Sequence, residues 1–234
     1  MILPGILLLA LLHGAAALVV CPAPLSATAP RLVHRRALPL LLAARADEVN
    51  PGAVPGTALR VLEYPHPLLR APNEEVVDFA NDALRGLTKQ MFAIMYASRG
   101  VGLAAPQLGV NKRLMVFNPE GDSRKWMAEV VLCNPRIVEF SSTAALDEEG
   151  CLSFPGFTAD VRRSSWIKVE YQNLKGKLLR KKYAGWEARI FQHEYDHLDG
   201  VLYVDRLSEA ERKRVQPELD ALVGKLEPEL EPAL

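Results

Sequence analysis

"FQHEYDHLDG", residues Phe191 to Gly200, contains the pattern H-E-x-x-H at His193, Glu194 and His197. Two imidazoles four residues apart on a helix lie one above the other, about 6 Å along the axis at ~1.5 Å per residue, so both reach one cation. The glutamate beside the first histidine then faces water on that cation and can take its proton. The stretch predicts a helix, closed by Gly200, that carries a metal site at the centre of the fold. It leaves the reaction open, because many peptidases share the pattern. The third protein ligand must come from elsewhere.

Around that helix the chain alternates short apolar runs with turn formers. "SSWIKVEYQN" at 164–173 and "KGKLLRKKYA" at 175–184 read as a hairpin with Gly176 in its turn. "RLMVF" at 113–117, "EVVLC" at 129–133 and "RIVEF" at 136–140 read as strands, separated by the turn signals Asn118-Pro119 and Asn134-Pro135. Leu84, Leu87, Met91, Ile94 and Met95 fall at helical spacing as core residues, and Gly100 is placed to stop that helix. "LRVLEYPHPLLR", from Leu59, is a short extended entry broken by Pro65 and Pro67. Ser208 and Glu211 form a capping box for a last helix, which Pro217 interrupts or restarts. The fold class is α+β, with antiparallel and mixed sheets packed around a central helix carrying H-E-x-x-H.

The 234 residues suit one domain with extensions. Lys+Arg and Asp+Glu both total 28, which argues against a polyanion-binding surface, and no local nucleic-acid patch stands out. Residues 1–46 contain no acid and carry Arg31, Arg35, Arg36 and Arg45, so residues 47–234 are mildly acidic. The acid-free segment begins with the apolar "MILPGILLLALLHGAAALVVC", like a signal peptide without its basic start, and passes into an Arg-bearing, Ala- and Leu-rich stretch like a transit peptide. That two-part leader points to an organelle, the plastid stroma first and the mitochondrion second; a secretory signal or an uncleaved anchor is the simpler alternative. Residues 47–58 read as linker, 59–206 as the catalytic domain and 207–234 as a C-terminal helix and tail. With the leader gone the mature domain is soluble. Of Cys21, Cys133 and Cys151, the last two remain there, too few for a disulfide framework, so a reducing compartment or a metal-bound thiolate fits.

Three residues compete as third ligand. A metzincin-like site continues H-E-x-x-H with x-x-G-x-x-H, and this chain matches as far as Gly200 but has Tyr203 where the histidine is required. A thermolysin-like site needs a downstream glutamate, and Glu218 has the spacing, but "RVQPELDAL" reads as a solvated helix face. Cys151 in "DEEGCLSFPG" offers a soft thiolate; with two histidines it leaves a fourth position open. A buried apolar cysteine is the plainer reading of one thiol. The glycine before it, the proline after it and the acidic run ahead favour the ligand.

"GVGLAAPQ" at 100–107, "EGCLS" at 149–153 and "QHEYDHLDG" at 192–200 together resemble peptide deformylase, whose patterns are GxGLAAxQ, EGCLS and QHExDHLxG in this order. The resemblance covers roughly Leu59 to Arg206. It implies Cys151, His193 and His197 as ligands of one divalent ion, iron(II) or zinc(II), and Glu194 as the base that activates water toward a formyl carbon. It also implies Gln107 and the backbone N–H of Leu152 as donors to the oxyanion. Gly100, Val101 and Gly102 then line extended substrate, and Val101, Trp186 and Ile190 correspond to the methionine pocket. Glu149, Gln192 and Asp196 flank the ligands: Glu149 is placed to support the cysteine loop, and Asp196 either orients an imidazole or pairs with Arg189. Expected partners are N-formylmethionyl nascent peptides of organelle-made proteins and, transiently, the ribosome. The rivals are a zinc endopeptidase, whose site would survive Cys151→Ala, and a noncatalytic metal-stabilised binding protein, against which the presence of Glu194 and Gln107 speaks.

Overall fold

A computed structural model describes residues 54–230, with side chains placed as far as 225. The leader at 1–46, the linker up to residue 53 and the last four residues lie outside the described residues. Among the described residues no helix is long and apolar enough to cross a membrane.

The first long helix, α1 (Asp82–Ala97), starts where the Asn81 side chain accepts the Ala83 N–H and so caps an unpaired donor. It buries Leu84, Met91, Ile94 and Met95, the helical stripe expected from spacing. Its end differs from expectation. Arg99, not Gly100, takes the left-handed conformation at φ 56°. The Gly100 N–H then reaches back to the Met95 carbonyl and the Arg99 N–H to that of Tyr96, which closes the helix as a Schellman motif. Gly100 instead leaves room for Leu152, since a Cβ there would lie 3.0 Å from its Cδ1.

Seven strands come next, in two antiparallel sheets: β1 (Gly102–Ala104), β2 (Leu114–Phe117), β3 (Val130–Phe140), β4 (Ala144–Cys151), β5 (Phe154–Ser164), β6 (Trp166–Gln172) and β7 (Leu178–Ala184). The larger sheet runs β1-β2-β3-β6-β7 and the smaller pairs β4 with β5. Every strand pair among the described residues is antiparallel, so the mixed pairing anticipated does not occur. The expected hairpin is β6–β7, with Gly176 in its turn at φ 73°.

The runs 129–133 and 136–140 are one strand. Asn134-Pro135 is a bulge inside β3, not a turn, because Asn134 at φ 49° ties itself across to Val76 and Gln172. The acidic β4 is a strand whose first residues are exposed; only Glu149, Gly150 and Cys151 at its end are buried. The entry at 59–70 forms no strand. Its Leu62 N–H bonds the Gln107 carbonyl and its Tyr64 N–H that of Ser153, before a 3-10 turn at Pro67–Arg70.

The helix carrying the histidines, α2 (Gly185–Leu198), lies between apolar clusters. One side packs Ala188, Phe191 and Leu198 against Phe117, Ile167, Val169 and Tyr183 of the larger sheet, with the Tyr183 and Phe191 rings 5.6 Å apart. Each of the buried Leu, Ile, Val and Phe side chains stabilises by about 1.5–3 kcal/mol. A second cluster joins Cys151, Phe154 and Val161 of the β4–β5 hairpin to Tyr203 and to the C-terminal helices. Those helices are α3 (Glu209–Arg214) and α4 (Gln216–Leu230), with Pro217 in the first turn of α4. Ser208 accepts the Glu211 N–H, but Glu211 turns its carboxylate to Arg214 and the Asp160 N–H, so only half of the capping box forms. Gly200, at φ 69°, ends α2 as expected, and a Cβ there would lie 2.9 Å from the Arg70 carbonyl oxygen.

Candidate active site

The i, i+4 spacing in α2 brings His193 and His197 edge to face, with ring centroids 5.3 Å apart. The tight turn from β4 to β5 swings Cys151 over the same helix, and its Sγ lies 3.3 Å from His197 Nε2. One donor atom from each of Cys151, His193 and His197 lies within 4.8 Å of the others, and all three residues are buried. This is the one such group of buried ligand atoms among the described residues. Glu218 is exposed on α4 and outside it, which removes the thermolysin-like alternative. Tyr203, at the metzincin histidine position, does reach the site, but as a buried ring packed 5.9 Å from His193.

The cradle is built for positive charge. His193 Nδ1 bonds Glu149 Oε2 at 2.9 Å, which leaves Nε2 for the cluster. Burial presses against a charged His193, yet the Cys151 and Glu149 side chains hold its pKa well above the ordinary value. Burial, with the charges of His193 and Arg163, drives His197 well below its ordinary value. One positive charge beside Cys151 and Glu149 is favoured and a second is not. The soft sulfur and two imidazoles with an open side fit a divalent cation such as zinc or iron. His197 Nδ1 and Glu194 Oε2 are buried without a partner among the described residues, so the polar interior is not saturated by protein alone.

Glu194 sits against the cradle. Burial, with the Glu149 charge adding, pushes its carboxyl up to about 7, against the pull of His193 and Arg163. A base works best with a pKa near the working pH. Gly102 is required beside it: a Cβ there would lie 2.4 Å from Glu194 Oε1. Gly102, expected to line substrate, therefore also leaves room for the Glu194 side chain.

Gln107 is buried, with its Oε1 held by the Ala104 N–H at 2.9 Å. That tether turns Nε2 toward Cys151 Sγ at 3.6 Å and Ser153 Oγ at 3.3 Å. Gln192 holds α2 to the end of β5 by exchanging bonds with the Ser164 backbone.

Behind the ligands lies a charge network that sequence reading missed in large part. Arg163 grips both oxygens of Glu149, at 3.0 Å each, and also donates to Asp196. Arg189 donates to Glu149 Oε1 at 2.6 Å and to the carbonyls of Val161 and Ala145. Asp196 also takes Arg206. Asp196 therefore neither orients an imidazole nor pairs with Arg189; Glu149 does both. One signal was available. Phe157, Ala159, Val161 and Arg163 share the inward face of β5, so period-2 alternation puts an arginine at a core position.

A narrow cleft of about 30 Å³ opens above these groups. Its walls include Gly100, Val101, Gly102, Leu152 and Ile190, with Arg99 and Arg189 unanticipated. Trp186 is not among the lining residues. Its indole N–H donates to the Pro119 carbonyl at 3.1 Å, and it borders a separate groove with Gly185 and Ser165. β1, at the edge of the larger sheet, brings Gly102 to the cleft.

An antiparallel α+β framework around a helix that contributes two of three buried Cys-His-His donors, with an adjoining glutamate, defines the class: a protein built to hold one cation at the floor of a cleft. The chain belongs to the polypeptide deformylase family, whose model matches residues 58–213. It is 43% identical over 171 residues to peptide deformylase 1B, chloroplastic/mitochondrial, of Arabidopsis thaliana, across 73% of this chain and 62% of that one. It is 48% identical over 150 residues to the chloroplastic 1B protein of Oryza sativa, across 64% and 55%. The chain thus spans less than two thirds of the length of these plant relatives. Among solved structures, peptide deformylase from Plasmodium falciparum superposes with a TM-score of 0.71 at 40% identity, covering 74% of this chain and 99% of that one. A plant peptide deformylase of the 1B type gives 0.72 at 42% identity, covering 74% and 94%.

Proposed function

We propose that this protein is a peptide deformylase, which hydrolyses the formyl group from the N-terminal methionine of newly made organellar proteins and releases formate. The observation that carries the reading is the convergence of Cys151, His193, His197, Glu194 and Gln107 at one cleft floor. Held by Cys151, His193 and His197, an iron(II) or zinc(II) ion supplies Lewis-acid polarisation of the formyl carbonyl and makes water a better acid.

Glu194 takes the proton from water as its oxygen bonds the formyl carbon, and returns it to the amine nitrogen as the C–N bond breaks. Water and formamide become formate and a free amine. The Gln107 amide and the Leu152 N–H face the developing oxyanion; one such donor is commonly worth about 2.7–4 kcal/mol. The free edge of β1 receives the peptide as an added strand, and Val101 and Ile190 form the apolar wall for methionine. Glu149, clamped by Arg163 and Arg189, fixes the tautomer of His193, while Gln192 and Asp196 anchor α2.

The leader at 1–46 directs the chain to the plastid stroma, with the mitochondrion as alternative, and residues 47–58 link it to a soluble catalytic domain at 59–206 with a C-terminal helix and tail after it. The chloroplastic naming of the rice relative supports the first compartment. Nascent chains at the ribosome are the partners. The test is protein purified without oxygen, loaded with iron(II) and given formyl-Met-Ala-Ser or an N-acetylated longer peptide. Formate release from the first with no internal cut in the second is the expected result. Internal cleavage without formate would make it an endopeptidase.

A further inference from the structure

The β6–β7 hairpin has no part in this chemistry, and its charge differs from that of the chain as a whole. Residues 166–184 carry six basic side chains, Lys168, Lys175, Lys177, Arg180, Lys181 and Lys182, against the single acid Glu170, in a chain with 28 residues of each sign. Five of the six fall within residues 175–182, and Lys168 lies apart from them in the sequence. Antiparallel pairing gathers them: Lys168 stands directly opposite Lys182, and Lys181 opposite Val169. Like charges directly opposed across strands destabilise a sheet.

The two lysines converge on the Trp166 ring, at 5.8 and 4.2 Å, and Lys181 lies 4.5 Å over the Tyr183 ring. Acids reach only part of the set. Glu139 pairs with Lys168, and Glu170 is shared by Arg136 and Arg180. Lys175, Lys177, Lys181 and Lys182 are exposed and form no ion pair among the described residues. Charged residues do guard edge strands against pairing with another chain, and β7 is an edge. One or two spaced lysines would serve that end without an opposed pair.

We propose that this hairpin is a docking surface for RNA. Alternation along the strands puts Lys168, Arg180 and Lys182 on one face of the ribbon and Lys181 on the other, with Lys175 and Lys177 at its turn, so the cations surround the hairpin. Along the hairpin runs a groove of about 440 Å³, lined by Lys168, Arg180, Lys181 and Lys182, by Val138 and Val169, and by the one acid Glu170, which is already paired with Arg136 and Arg180. A linear chain of phosphates fits such a groove, whereas a flat lipid surface would meet only its rims. Only the purpose of the contact rests on the deformylase reading, because formylated N-termini emerge from an RNA-built ribosome; the binding itself does not.

The test is fluorescence anisotropy of a labelled oligouridylate about 20 nucleotides long, more than one site of ~4–16 nucleotides, titrated with the full-length chain at several salt concentrations. Replacing Lys175, Lys177, Lys181 and Lys182 together by Gln is expected to weaken binding at least about 10-fold near 0.1 M salt, and to flatten the log–log salt slope by about 2–3, at ~0.7 per lost phosphate contact. The turn pair Lys175→Gln/Lys177→Gln, which touches neither aromatic ring, is expected to give about half of that slope change. A control on other elements, Arg85→Gln/Lys89→Gln/Lys225→Gln, should leave both quantities unchanged. No binding by the wild type, equal loss in both variant sets, or tighter hairpin-dependent binding to phosphatidylserine vesicles would overturn the proposal. Formate release in the same samples separates the two readings: RNA binding without formate release leaves this surface standing and removes the enzyme.

Discussion

Glu149 does more for the site than any residue that would touch substrate. It is fully buried, and its two oxygens serve His193, Arg163 and Arg189 at once. Glu149→Gln leaves two buried guanidinium groups without their carboxylate. The expected cost is about 3–5 kcal/mol in urea unfolding, with bound metal, measured by elemental analysis after dialysis, held about 10–100-fold more weakly. An unchanged metal affinity would mean that His193 needs no such partner. Gly102 gives a second prediction. Gly102→Ala forces the Glu194 carboxylate aside, so formate release should fall at least about 100-fold, the usual effect of misplacing a reacting group by about an ångström, while the metal stays bound. The ligands and Glu194 were legible because their spacing is dictated by helix geometry and by three short motifs. Arg163 was passed over although alternation in β5 places it on the buried face; its partner Glu149 is visible only once β4 and β5 meet.

Strands and helices were legible in type and less so in extent. α1, α2 and the β6–β7 hairpin arise from apolar period and turn chemistry. β3 does not, since Asn-Pro is an ordinary turn signal and only the tertiary bonds of Asn134 make it a bulge. Its side chain accepts the Val76 N–H at 2.7 Å and donates to the Val76 carbonyl and to Gln172 Oε1 at 2.8 and 2.7 Å. Asn134→Ala should lose about 2–4 kcal/mol, from these bonds at about 1 kcal/mol each and from the poorer tolerance of alanine than asparagine for positive φ. Asn134→Gly relieves the strain and should be about 1 kcal/mol less damaging. Thermal unfolding of the pair checks the order; equal stabilities would remove the strain from the explanation. The end of α1 shows the reverse case. A glycine in the sequence looked like the helix stop, but Arg99 accepts the left-handed turn and Gly100 is spent on the approach of Leu152.

The molecule places one helix between a sheet that gives it rigidity and a hairpin that gives it a third ligand. The larger sheet buries the Phe191 face of α2, and the β4–β5 hairpin, backed by α3 and α4, sets Cys151 over the histidines. That arrangement was only partly legible, because β4 is acidic and exposed over most of its length and shows no alternation. On the proposed function its consequence is a separation of duties: Cys151, His193 and His197 would hold the cation, and Glu194, one position from a ligand but not one itself, would move the proton. The most direct test is to load wild type and Glu194→Gln with iron(II) without oxygen and to measure metal content and formate release from formyl-Met-Ala-Ser side by side. The expected result is one metal equivalent in both proteins, with release slowed by about 10²–10⁴-fold in the variant, the span a general base usually supplies. Release at the wild-type rate from a variant with its metal in place would contradict the account, because the proton would then be moving through some other group.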